Sequence, residues 1–115
     1  MKITVQSIRF NADKKLLDFI QKKADKLDTF YDRIISGEVY LKLENVEDEA
    51  NKITEIKLML PGSQMFAKEQ CKTFEEATDL AVESLRKQIE KYKQKKTIAA
   101  EAAKKTVLIT VTEGF

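Results

Sequence analysis

The chain has 115 residues, 35% charged and 43% hydrophobic, with a formal net charge of only +2. This length suits one domain with a single core, and the near-balanced charge means that any nucleic-acid contact must come from segregated charge. It has no histidine and one cysteine, Cys71. That excludes Ser-His and Cys-His nucleophile pairs and an intrachain disulfide, and removes the commonest metal ligand.

Met1 to Ser7 alternates, with Ile3 and Val5 on one side and Lys2, Thr4 and Gln6 on the other. The period of two predicts a half-buried strand. Behind its lysine there is no long apolar stretch, so it does not read as a signal peptide. No apolar run in the chain approaches the roughly 20 residues needed to cross a bilayer. A cytoplasmic protein with no membrane partner is expected.

Arg9 to Ala12 reads as a connection to a helix starting at Lys14, with Asp13 as its N-cap and Asn11 as the rival. Leu16, Leu17, Ile20, Ala24 and Leu27 form the apolar stripe of this helix, closed by Phe30 or Tyr31. Lys15, Lys22, Lys23 and Lys26 lie off the stripe, either as a solvated face or as a contact surface. Gly37 marks a turn into a second strand, where Val39, Leu41 and Leu43 alternate with Glu38, Tyr40, Lys42 and Glu44. Asn45 to Lys52 is polar and acidic and reads as a loop. Thr54 to Leu60 is a third strand with Ile56, Leu58 and Leu60 inward. Leu60-Pro61-Gly62-Ser63 fits a type II turn. Gln64 to Cys71 returns antiparallel with Met65, Ala67 and Cys71 on one face. Cys71 has no neighbouring motif that would lower its pKa, so it reads as a small residue at the edge of the core.

Thr73 to Lys96 is the stretch around which the rest is organised. Thr73 and Glu76 have capping-box spacing, and Phe74, Ala77, Leu80, Ala81, Leu85, Ile89 and Tyr92 recur on one helical face. Its first half carries Glu75, Glu76, Asp79 and Glu83. Its second half carries Arg86, Lys87, Lys91, Lys93, Lys95 and Lys96 against Glu90 alone. Acid first and base last suits the helix dipole, but this cation density exceeds what a dipole needs and suits contact with phosphates. Thr97 to Lys105 is alanine-rich and is able to extend the helix. Thr106 to Thr112, TVLITVT, is β-prone and suited to a sheet edge or to pairing with another copy.

The expected fold is α+β, with elements in the order β-α-β-β-β-α. The first two strands are parallel across a right-handed helical crossover and the rest form a meander. Together they make a four-stranded mixed sheet with two helices on one face. Residues 1–96 form the domain, and 97–115 a C-terminal extension of unassigned structure.

Several short motifs, taken in order, carry a resemblance. Lys26-Leu27 closes a helix before Tyr31-Asp32-Arg33-Ile34, and the strand Val39-Tyr40-Leu41-Lys42-Leu43-Glu44 follows. Ala67 and Glu69, Ala77-Thr78-Asp79-Leu80, Leu85-Arg86-Lys87-Gln88-Ile89 and Lys91-Tyr92-Lys93 come later. Over roughly residues 1–96 the chain resembles the ribosome hibernation promoting factor family, also called ribosome-associated inhibitor or ribosomal subunit interface protein. The resemblance implies a fold similar to double-stranded-RNA-binding domains. It also implies binding to the small ribosomal subunit, where the protein blocks the channel of messenger RNA and of transfer RNA in the A and P sites. Carried over by position, the RNA-contacting candidates are Lys23, Lys26, Arg33, Lys87, Lys91, Lys93 and Lys95; charge pattern adds Arg86 and Lys96. For Arg33 the alternative is an ion pair with Asp32.

Three departures stand out. Lys72-Thr73-Phe74 replaces the family's Asp-Met-Tyr, although Thr73 keeps the capping function. Leu17 stands where many members have a basic residue. The nineteen residues after Lys96 are too few for the dimerisation domain of long members, so the chain resembles a short form.

The reading that follows is a non-enzymatic translation inhibitor with no cofactor, no metal and no small-molecule substrate. The alternative is a protein-binding regulator of the sigma-factor modulation type that uses the exposed sheet face. Residues 106–112 offer a route to self-association, which neither reading requires. An enzyme is disfavoured by the absence of histidine, of a phosphate-cradling glycine loop and of a metal-ligand cluster.

Overall fold

The computed structural model describes the backbone of residues 1–8, 10–44 and 50–105, and side chains among these as far as Gln94. The elements are β1 (Lys2–Ile8), α1 (Lys14–Asp25), α2 (Leu27–Phe30), β2 (Ser36–Leu43), β3 (Lys52–Leu60), β4 (Ser63–Cys71) and α3 (Phe74–Lys105). Apart from the single turn α2, this is the expected β-α-β-β-β-α order. The strands form one mixed sheet in the order β1-β2-β3-β4, with β1 parallel to β2 and the other pairs antiparallel. The acidic segment at 45–49, the β-prone run 106–112 and the side chains of Lys95 and Lys96 lie outside the described residues.

Local chemistry sets the boundaries. Asp13, rather than Asn11, caps α1: its Oδ1 accepts from the Leu16 N–H at 2.8 Å, an interaction worth about 1 kcal/mol. The chain passes through Lys26 into α2, which places Leu27 in the core and ends at Tyr31 in extended conformation. Tyr31, partly buried against the core, therefore closes the stripe, while Phe30 is left 37% exposed. At the β3–β4 turn Gly62 has φ 72°, the left-handed conformation that the third position of a type II turn requires. Gly37 is not in a turn. It lies within β2 opposite Ile3 and Leu58, and a Cβ there would stand 2.9 Å from Ile3 Cδ1. Glycine serves close packing at this position.

The core is one cluster in which Ile20, Leu27, Val39, Leu41, Ile56, Leu58, Leu85 and Ile89 have no exposed surface. Each such side chain contributes about 1.5–3 kcal/mol of burial. Two expected core positions are corrected. Leu43, at the end of β2, and Leu80, on α3, are each 46% exposed. Ala77, Ala81, Leu85 and Ile89 line the buried stripe of α3, and Leu80 sits about 100° round the helix from Ala81. Thr78 is buried in its stead, its hydroxyl 3.3 Å from that of Thr54 on β3. That exchange satisfies both buried polar groups.

Candidate nucleic-acid interface

The start of α3 is set as its spacing suggests: the Glu76 N–H donates to Thr73 Oγ1 at 3.1 Å. The helix then runs back along β4. Gln88 Nε2 donates to the Phe66 carbonyl at 3.0 Å, and the Tyr92 hydroxyl lies 3.5 Å from the Pro61 carbonyl at the β3–β4 turn. The basic half of α3 consequently has two flanks, one toward α1 and α2 and one toward the β4 edge.

On the α1–α2 flank the cations are engaged. Lys23 Nζ lies 2.9 Å from Asp79 Oδ1 and 5.5 Å from the centre of the Phe19 ring. Arg86 is held between Glu83 and Glu90, and its guanidinium stands over the Phe30 ring at 5.9 Å. The hydrogen bond and charge of Arg86 hold the Glu83 carboxyl below the usual carboxylate range. Lys93 Nζ donates to the Phe30 carbonyl at 2.8 Å.

On the β4 flank the lysines are open. Lys87 and Lys91 are exposed and form no ion pair among the described residues. With Glu69, Leu80, Glu83, Ser84 and Gln88 they line an open groove of about 380 Å³ between α3 and β4, so Glu83, although clamped by Arg86, also borders this flank. Lys26 and Arg33 flank α2, both exposed. Among the described residues Arg33 forms no ion pair, and in particular none with Asp32.

The predicted cations are therefore brought to one region but not to one role. Lys23 fastens α1 to α3, Arg86 is clamped by two acids of its own helix and stands over the Phe30 ring of α2, Lys93 ties α3 to α2, and Lys26, Arg33, Lys87 and Lys91 face solvent. Lys95 and Lys96 lie on the part of α3 whose side chains are not described. Sequence reasoning missed the groove residues Ser84 and Gln88; the one sign of them was their position three residues before Lys87 and Lys91 respectively.

Burial, reinforced by Glu76 and Glu69, raises the Cys71 pKa, the reverse of what activates a thiol. Among the described residues no group of three or more histidine, cysteine or acidic side chains is arranged to hold a metal ion. Among them no helix is long and apolar enough to cross a membrane.

Comparison with known proteins decides the family. The family described as "Sigma 54 modulation protein / S30EA ribosomal protein" matches residues 3–97. The chain belongs to this family. Similar relatives include a ribosome hibernation promoting factor of Pseudomonas putida, 22% identical over 83% of this chain and 89% of the relative. One of Azotobacter vinelandii is 24% identical over 83% of this chain and 85% of the relative. Among solved structures, the N-terminal domain of Thermus thermophilus Protein Y superposes with a TM-score of 0.70 at 25% identity, covering 80% of this chain and 99% of that one. A ribosomal subunit interface protein from Coxiella burnetii shares the fold with a TM-score of 0.73 at 22% identity, covering 82% and 99%. S30EA-family membership thus agrees with the β-α-β-β-β-α order seen here.

Proposed function

We propose that the chain is a hibernation factor that binds the small ribosomal subunit. There it occupies the channel of messenger RNA and of A- and P-site transfer RNA, halting translation by occlusion and without catalysis. The observation that carries this reading is the family match over residues 3–97, whose relatives are named for ribosome hibernation. The geometry supports it through cations directed to solvent on a rigid scaffold: Lys87 and Lys91 beside the groove, Lys26 and Arg33 around α2. Such a surface reads RNA by backbone charge and shape, not by base sequence. On this reading residues 1–96 are the ribosome-binding domain, residues 97–115 an extension, and the cytoplasm the place of action.

A competition experiment tests the channel. Small subunits are loaded with messenger RNA and P-site transfer RNA and then titrated with the protein. Release of both ligands at concentrations where the protein binds is expected. A complex that carries protein and P-site transfer RNA together would contradict occlusion.

A second reading, a protein-binding regulator, is favoured by one observation: Phe66, on the edge strand β4 and on the sheet face opposite the core, is 51% exposed. Binding through that face would persist at salt concentrations that abolish binding to RNA.

A further inference from the structure

We propose that Phe30 is a stacking platform for an unpaired RNA base. This rests on the RNA-binding reading above and adds to it a contact that charge alone does not supply. Phe30 takes no part in the core cluster, and 37% of the residue is exposed. Its position is nonetheless fixed. The Tyr31 N–H closes α2 on the Leu27 carbonyl at 3.1 Å, and Lys93 Nζ holds the Phe30 carbonyl at 2.8 Å. Next to it Tyr31 packs edge-on against Tyr92, with ring centres 5.6 Å apart.

The surroundings of the ring select the ligand. The Arg86 guanidinium stands over it at 5.9 Å, and its charge is already balanced by Glu83 and Glu90. Arg86 thus acts as a backing for the ring, not as a phosphate ligand. Asp28, the acid on α2, is engaged by the N-terminal ammonium at 3.2 Å. Arg33, three residues beyond the ring, is exposed without an ion pair among the described residues. An exposed aromatic surface backed by arginine on a fixed stretch of backbone, with an available cation three residues further along the chain, matches a nucleotide: base on the ring, phosphate on Arg33. Unpaired bases splayed from RNA are taken up in this way, and a paired base is not, because its faces are stacked inside the helix.

The test uses the full chain and two RNA hairpins of equal charge, one with an unpaired adenine loop and one with the same loop made abasic. Binding is measured across a salt series for the wild type, Phe30→Leu, Phe30→Trp and Arg33→Gln. Leucine keeps apolar packing and removes the aromatic face; tryptophan keeps the face.

The wild type is expected to prefer the adenine loop by about tenfold, within the range for one base stacked on an aromatic ring. Phe30→Leu should lose that preference with an unchanged salt slope, and Phe30→Trp should keep it. Arg33→Gln should lower the slope by about one, as loss of one phosphate contact does. Equal binding of both hairpins by the wild type, or a Phe30→Leu variant that keeps the preference, would overturn the platform while leaving RNA binding intact. No salt-sensitive binding of either hairpin would overturn the platform and count against the RNA-binding reading itself.

Discussion

The two flanks of α3 carry cations of the same kind put to different uses. Toward α1 and α2, Lys23, Arg86 and Lys93 meet Asp79, the Glu83–Glu90 pair and the Phe30 carbonyl. Toward β4, Lys87 and Lys91 line an open groove and make no ion pair among the described residues. A cation already satisfied by a carboxylate has less to gain from a phosphate, so a count of lysines and arginines overstates the surface available to RNA. Exposed ion pairs are individually weak, on the order of 0–1 kcal/mol. They therefore bias the helix toward binding on one side and do not forbid the other.

Charge reversal should break this contrast most visibly. Lys87→Glu with Lys91→Glu is expected to remove measurable association with small ribosomal subunits by sedimentation. The matched reversal Lys23→Glu with Lys93→Glu should weaken association by a smaller factor at the same salt. Equal losses in the two variants would erase the distinction between the flanks.

The next effect lies under the helix. Leu85→Ala opens a cavity beneath α3 and should cost about 2–5 kcal/mol in chemical denaturation, lowering the melting temperature by about 10 °C or more. Leu80→Ala, on the groove side, should cost under about 1 kcal/mol. A comparable loss at Leu80 would mean that the buried stripe runs elsewhere.

The smallest effect sharpens the contrast by freeing a cation. Glu83→Gln with Glu90→Gln releases Arg86 and should tighten RNA binding about two- to fivefold at low salt, with a steeper salt dependence. The pH dependence follows the same sign. Arg86 lowers the Glu83 pKa, so the clamp holds at neutral pH and is lost as pH falls through the depressed folded-state value. Binding by the wild type should rise toward that of the Gln variant as pH falls into the acid range, with the variant less affected. A wild type and variant that respond identically would show that the clamp does not compete with RNA.

The architecture was legible because its signals are local. Alternation gave away β2, β3 and β4, the spacing of Thr73 and Glu76 marked the start of α3, and Pro61-Gly62 marked the hairpin. What stayed hidden depends on neighbours distant in sequence. Gly37 reads as a turn until Ile3, Leu58 and Met1 close around it. Thr78 reads as a surface residue until Thr54 stands opposite. Leu80 reads as core because a stripe of three- and four-residue steps does not show how wide the covered arc is. The basic end of α3 was visible as composition. The division into engaged and open cations was not, since the partners of Lys23 and Lys93 come from other elements, 56 residues (Lys23 to Asp79) and 63 residues (Lys93 to Phe30) away in the chain. Glu83 and Glu90 were in view as neighbours of Arg86, but their closing on it together, with the Phe30 ring on its other side, required the fold.

If this domain holds the small ribosomal subunit through the open lysines beside the α3–β4 groove, binding must depend on Lys87 and Lys91. Co-sedimentation with purified small subunits across a salt series, wild type beside the Lys87→Glu/Lys91→Glu variant, tests it most directly. The wild type is expected to bind with an affinity that weakens steeply with salt, and the variant to lack that binding while its melting temperature stays at the wild-type value. Binding by the folded variant that matches the wild type at every salt concentration would contradict that dependence.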